Sequence, residues 1–304
     1  MLTSLKRFFL LLLLLFSLSA CVKKQPSISH VLQNNCDYYS LKTAMCENTE
    51  QMIKSLRPYK IIFIGDHHSE KDMHLRLAGL ISSLSQDGYK IILANEWFYP
   101  SDKKTLQSFY SNEDNESVFL EKIQWQKRMK FYKYESFKPI YEAVKQENGE
   151  LHGINLSKEE RKQISDANLS VMTKKEGLFY KTLDLSVYPH QSLVMPFLSH
   201  CHAPKKDESL QECSERMYKV QVAWDTKMAL EAYKLSKKLK ANEKLLVLAG
   251  SMHMEKNLGI PLRFARLSNE PFLTIIPLES HIENVEHNTG DYLLFYESQD
   301  KARK

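Results

Sequence analysis

Two apolar runs decide the fold: Ile61-Ile62-Phe63-Ile64-Gly65 and Tyr89-Lys90-Ile91-Ile92-Leu93-Ala94, with a helical stretch between them. The first run is short, wholly apolar and closed by glycine. That is how a strand buried on both faces of a parallel sheet reads. Ser69 is a candidate helix cap, with Glu70 and Asp72 in the turn where acidic groups meet the positive end of a helix. Met73, Leu77, Leu80, Ile81 and Leu84 recur at helical spacing, and Gly88 ends the stretch. Strand, helix and strand in so few residues make a βαβ unit, for which a right-handed crossover is expected.

Further elements extend the pattern. Leu151–Asn155, Lys244–Ala249, Phe272–Pro277 and Tyr292–Tyr296 read as strands. Ser157 and Glu160 have capping-box spacing. A long helix is expected from about Glu212 to Lys240, with Met217, Val220, Trp224 and Met228 on one stripe. Residues 100–148 read as mostly helical, whereas 184–209, with Pro189, Pro196 and Pro204, read as a loop-rich connection. Residues 22–50 lack periodicity and suggest a tether followed by a loop or short helix. The expected fold is α/β, a mostly parallel sheet flanked by helices. Its core would comprise residues 51–98 and 150–304, with a helical subdomain inserted at 99–149.

The start of the chain has a different character. Lys6 and Arg7 precede the Phe- and Leu-rich run Phe8–Phe16, and Leu18-Ser19-Ala20-Cys21 follows as a lipobox. The run is too short for a permanent membrane span. Residues 1–20 are therefore expected to be a signal peptide, and Cys21 the lipid-bearing N-terminus. Val22 stands where Asp would favour the inner membrane, so the expected location is the periplasmic face of the outer membrane. Loss of Lys6 and Arg7 with the signal leaves 42 − 2 = 40 basic against 37 acidic side chains, which argues against nucleic acid as the main partner. Beyond Cys21, four cysteines fall into two local pairs. Cys36–Cys46 and Cys201–Cys213 is the favoured of three possible pairings in a compartment that permits disulfides.

Two strands end alike. Gly65-Asp66-His67-His68 follows the first strand and Gly250-Ser251-Met252-His253 a later one, while the second strand ends in Asn95-Glu96-Trp97. In open α/β sheets ligands sit outside the carboxyl ends of the strands. His68, Glu96 and His253 are thus expected to converge, with Asp66 and His67 close by. Such a set suits a divalent transition metal, or an acid/base pair acting on water.

With these motifs in order, the chain resembles the ChaN family of iron-regulated, haem-binding lipoproteins, within the wider Tiki/TraB/erythromycin-esterase superfamily. The resemblance rests on Ile62–His68, on Ala94–Phe98, on Gln221 with Asp225, Met228 and Ala229, and on Val247–His253 followed by Gly259-Ile260-Pro261. Asp66 departs from the family pattern, which often has Glu there. The resemblance implies an α/β domain with a helical insertion, and homodimers that take up haem. It also implies kinship with metal-dependent hydrolases, in which His68, Glu96 and His253 would be catalytic and, with Asp66, hold the metal.

Haem needs aromatic walls, basic groups for its propionates and an iron ligand. Trp125–Tyr141 offers Lys127, Arg128, Lys130 and Lys133 among Trp125, Phe131, Tyr132, Tyr134 and Phe137. Tyr132 and Tyr134 are candidate iron ligands and Arg128 a candidate propionate partner. His200 and His202 are rival axial ligands. The resulting expectation is a lipid-anchored haem-binding protein in haem or iron uptake, served by an outer-membrane haem receptor. The alternative is a metal-dependent hydrolase.

Overall fold

The computed structural model describes residues 36–167, 177–201, 204–280, 285–286 and 288–298. Cys21 and His202 lie outside them. A short hairpin comes first, β1 (Tyr38–Ser40) and β2 (Met45–Glu47), followed by α1 (Thr49–Leu56). The expected βαβ unit is β3 (Ile61–Asp66), α2 (Lys71–Gln86) and β4 (Lys90–Asn95). A helical run follows: α3 (Lys103–Tyr110), α4 (Glu116–Ile123), α5 (Trp125–Arg128) and α6 (Tyr134–Gln146). Next come β5 (Glu150–Gly153), α7 (Lys158–Asp166), α8 (Leu178–Thr182), α9 (Tyr188–Leu198) and α10 (Leu210–Ser236). The chain closes with β6 (Glu243–Gly250), α11 (Ser251–Met254), α12 (Ile260–Ala265), β7 (Phe272–Glu279) and β8 (Tyr292–Tyr296).

The strands form one sheet in the order β2-β1-β8-β7-β3-β6-β4-β5. From β8 to β5 every neighbouring pair is parallel, and the β1–β2 hairpin adds antiparallel at the β8 edge. Side chains alternate between the faces of a strand. Ile62 and Ile64 join one core layer with Leu77, Leu80 and Phe137, while Ile61 and Phe63 join the other with Met228, Ala229 and Phe264. Helices α3 to α6 contribute Leu106, Phe119, Trp125 and Ile140 to the first layer, so the segment between β4 and β5 shares the core of the sheet. β3 and β6 are buried along their whole length.

Several local expectations change. Residues 36–50 form a disulfide-closed hairpin, Cys36 to Cys46, and the start of α1, which Asn48 and Gln51 close in a capping box. Three-residue strands are too short to show a period. Ser69 has φ of 72° and does not cap α2, which starts two residues later. The proline-bearing connection contains α9, because Pro189 sits in its first turn, where no N–H is required. The Ser157–Glu160 box starts α7 as expected. Helix α10 ends at Ser236, short of Lys240, and buries Gln221, Val222, Asp225 and Ala229. Met217 and Trp224 of the expected stripe are only half-buried.

Candidate functional site

Strands β3, β6 and β4 lie side by side, with Asp66 opposite Gly250 and Asn95 opposite Leu248. The register aligns their carboxyl ends, so the three loops leave from one place. The Glu96 N–H donates to the Leu248 carbonyl at 3.0 Å, and the Gly250 N–H donates back to Glu96 Oε2 at 2.7 Å. Gly250 separates the two expected histidines. A Cβ there would lie 3.1 Å from His68 Cε1 and 3.6 Å from His253 Cδ2. The predicted convergence of His68, Glu96 and His253 is therefore present.

Each histidine is backed by a buried carboxylate. His68 Nδ1 lies 2.9 Å from Asp66 Oδ2, and the buried His74 reaches Asp66 Oδ1 at 2.7 Å. Asp66 thus faces two imidazoles and does not cap α2. On the other side, His253 Nδ1 lies 2.5 Å from Asp225 Oδ1, with the Gln221 amide 3.0 Å from the same nitrogen. The second Asp225 oxygen is 3.0 Å from His190 Nε2, an ion-pair distance without hydrogen-bond alignment. It is 3.6 Å from Arg263 Nη1. Glu96 Oε1 completes the chain at 3.5 Å from His253 Nε2.

These neighbours set the protonation states. Burial opposes charge on His253, but Glu96 and Asp225 outweigh it and push its pKa up to about 10. Burial likewise opposes charge on Asp66, Glu96 and Asp225, yet their imidazole neighbours hold all three below the usual carboxylate range. His68 is raised against the pull of burial, chiefly by Asp66.

The residues expected to hold a metal are paired with their neighbours in this arrangement. Both Asp66 oxygens face imidazoles, those of His68 and His74, and His253 Nδ1 faces Asp225. Among the described residues, the donor atoms clustered tightly enough for a metal are those of Cys201, Glu208 and Cys213. The two thiols there are consumed in the expected second disulfide.

The remaining expected residues separate. Tyr132 joins the site, its ring 5.1 Å from His68 and 5.4 Å from Trp97, while Trp97 lies 4.3 Å from His68. Tyr134 does not join it. The ring is 3% exposed and packs against Trp125 in the core, its hydroxyl unpartnered. Arg128 is held by two hydrogen bonds to Asp102, at 2.6 and 3.0 Å, and lies over the Tyr99 ring. His200 is exposed just before disulfide-bonded Cys201. His67 turns aside to the Tyr296 hydroxyl at 2.6 Å. His74, His190, Arg263 and the pairing of Asp225 with His253 went unforeseen. The available signal was i,i+4 spacing of Gln221 and Asp225, polar groups on the buried side of α10.

The fold and site define an α/β protein with two histidine–carboxylate pairs at the carboxyl ends of adjacent parallel strands. Its sequence matches, over residues 52–264, the family described as haem-binding uptake, Tiki superfamily, ChaN. The chain belongs to that family. A solved structure of cofacial haem binding to ChaN of Campylobacter jejuni is similar, with TM-score 0.65 and 20% identity over 86% of this chain and 96% of that one. The type III effector HopBA1 aligns at TM-score 0.46 and 15% identity over 83% and 94% of the two chains. An erythromycin esterase in its open conformation aligns at 0.47 and 13% over 80% and 77%. No curated protein matches the sequence.

Proposed function

We propose that this protein binds haem at the rim above β3, β6 and β4, with Tyr132 as the iron ligand, and serves haem or iron uptake from a lipid anchor at Cys21. The carrying observation is the setting of Tyr132 in a family of haem-binding proteins. Its ring stands over Trp97 and His68, and the neighbouring Phe131 is 83% exposed. An exposed Phe beside a half-buried phenol offers an apolar wall and a hard anionic donor for ferric iron. Lys127, Lys130 and Lys133 are the propionate partners, since Arg128 is engaged by Asp102. Closure of two copies over the Phe131 face would shield haem from water. An outer-membrane receptor would supply it. On this reading His68, with Asp66, Glu96 and His253 around it, forms the polar floor beside Tyr132.

Haem titration tests the reading. Saturation at a fixed stoichiometry is expected, with a Soret shift. Tyr132→Phe should alter the ferric spectrum while the buried Tyr134→Phe leaves it unchanged. An unchanged spectrum for Tyr132→Phe removes that residue as ligand. Cys21→Ser should abolish acyl-chain labelling in cells.

A further inference from the structure

Floor and rim are joined by a side chain that belongs to neither. His74 lies near the start of α2 and is fully buried. Its Nε2 is 2.7 Å from Asp66 Oδ1, and the other oxygen of Asp66 holds His68. Its Nδ1 is 2.7 Å from the carbonyl of Ser136, in the first turn of α6. A carbonyl only accepts, so Nδ1 carries the hydrogen and donates at that end. The imidazole thus spans from the end of β3 to the start of α6. Its ring lies against Phe137, with 4.7 Å between centroids.

The start of α6 is short of one bond of its own. Pro139 has no N–H for the Glu135 carbonyl. His74 secures the next carbonyl along, that of Ser136. Tyr132 stands on the link that enters this turn. Its N–H donates to the Met129 carbonyl at 2.8 Å, and Trp125 Nε1 donates to the Tyr132 carbonyl at 3.0 Å. Those bonds hold the link to α5, while His74 holds α6 to the floor. The Tyr132 ring lies 5.1 Å from His68. The contacts therefore close a circuit through Ser136, His74, Asp66, His68 and Tyr132.

We propose that His74 is a positioning residue of the haem site, a strut that fixes the height of the Tyr132 phenol above His68. This rests on the reading of Tyr132 as the iron ligand. Fully buried, His74 does not touch haem; it acts through α6 and Asp66. Groups that orient a metal ligand from behind commonly change affinity by about tenfold or more when lost. A strut needs both ends, whereas a mere partner for the Asp66 charge needs one.

The test separates the ends. In His74→Asn the amide nitrogen stands near the place of Nδ1 and can keep the Ser136 bond. In His74→Gln it stands near the place of Nε2 and can keep the Asp66 bond. Both variants should shift the Tyr132 ring resonances in the haem-free protein. Both should weaken haem binding about tenfold and change the ferric spectrum. In a Tyr132→Phe background the same substitutions should leave haem affinity unchanged, because the ligand they position is gone. The unmodified protein supplies a check that needs no variant, an exchange-protected Nδ1–H on His74. Four results would overturn the proposal. They are absence of that proton, unshifted Tyr132 resonances, parental haem affinity in either variant, or an equal loss in the Tyr132→Phe background, which marks general loosening. Absence of a Soret shift in the unmodified protein would sink the haem reading itself, and the haem-free resonances would still decide whether the strut exists.

Discussion

Replacing Asp225 with Asn tests whether His253 is held as an imidazolium. In the folded protein its pKa is about 10, against an ordinary value of 6.5. Below pH 6.5 both folded and unfolded chains carry the proton, and the contribution to stability is fully present. As pH rises toward 10 the unfolded chain releases the proton first, so stability falls. At about 1.4 kcal/mol per pH unit the gap sets a ceiling of about 5 kcal/mol. Asp225 supplies one of the two carboxylates responsible, so Asn at this position should lower the His253 pKa and flatten that loss. It should also cost about 3 kcal/mol at pH 6.5, the usual scale for removing one partner of a buried ion pair. The cost should shrink as pH rises. Lys244 works in the opposite sense: burial lowers its pKa to about 8, so it adds stability as pH climbs from there toward 10.5. Comparing the variant with the parent cancels that contribution. Urea unfolding of both proteins between pH 6.5 and 10, with the His253 ring followed by NMR, measures each quantity. A cost of substitution that does not change with pH would refute the reasoning.

Three further substitutions probe the frame around the site. Gly250→Ala should displace His68, whose Cε1 would lie 3.1 Å from the added methyl, and cost about 1–3 kcal/mol. Its signature is a moved His68 ring resonance. Gly79→Ala should stabilise by about 0.5–1 kcal/mol in urea unfolding, since it lies inside α2 with nothing within 4 Å of its new methyl. Lys244→Met should destabilise by about 2 kcal/mol, because the ammonium donates to the carbonyls of Leu56 and Tyr59, at 2.9 and 2.6 Å, near the end of α1. Thermal melting at pH 7 reads that loss.

The central sheet was legible because β3, β4 and β6 are long enough, and apolar enough, to announce burial on both faces. Their loops were legible for the same reason: a glycine or polar group directly after such a run has to sit at the sheet's rim. The β1–β2 hairpin was not, since Tyr38–Ser40 and Met45–Glu47 give no period over three residues. Helix α9 was obscured by its prolines, although one at a first turn fits a helix. The histidines at the rim could be read from strand ends, whereas their partners could not. Asp225 and His190 meet across α10 and α9, a contact that depends on tertiary packing rather than sequence spacing. Tyr132 and Tyr134 differ by two residues and looked equivalent. The helix start at Tyr134 turns one ring into the core and leaves the other on the loop before it.

The two parts of the site are built from materials of unequal firmness. Its floor is fixed by adjoining rungs of the central ladder, Asp66 beside Gly250, and moves only when the middle of the sheet comes apart. Its rim at Phe131 and Tyr132 hangs from a short link between two helices. On the haem reading, cargo would come and go by local rearrangement of that link while the foundation stays put.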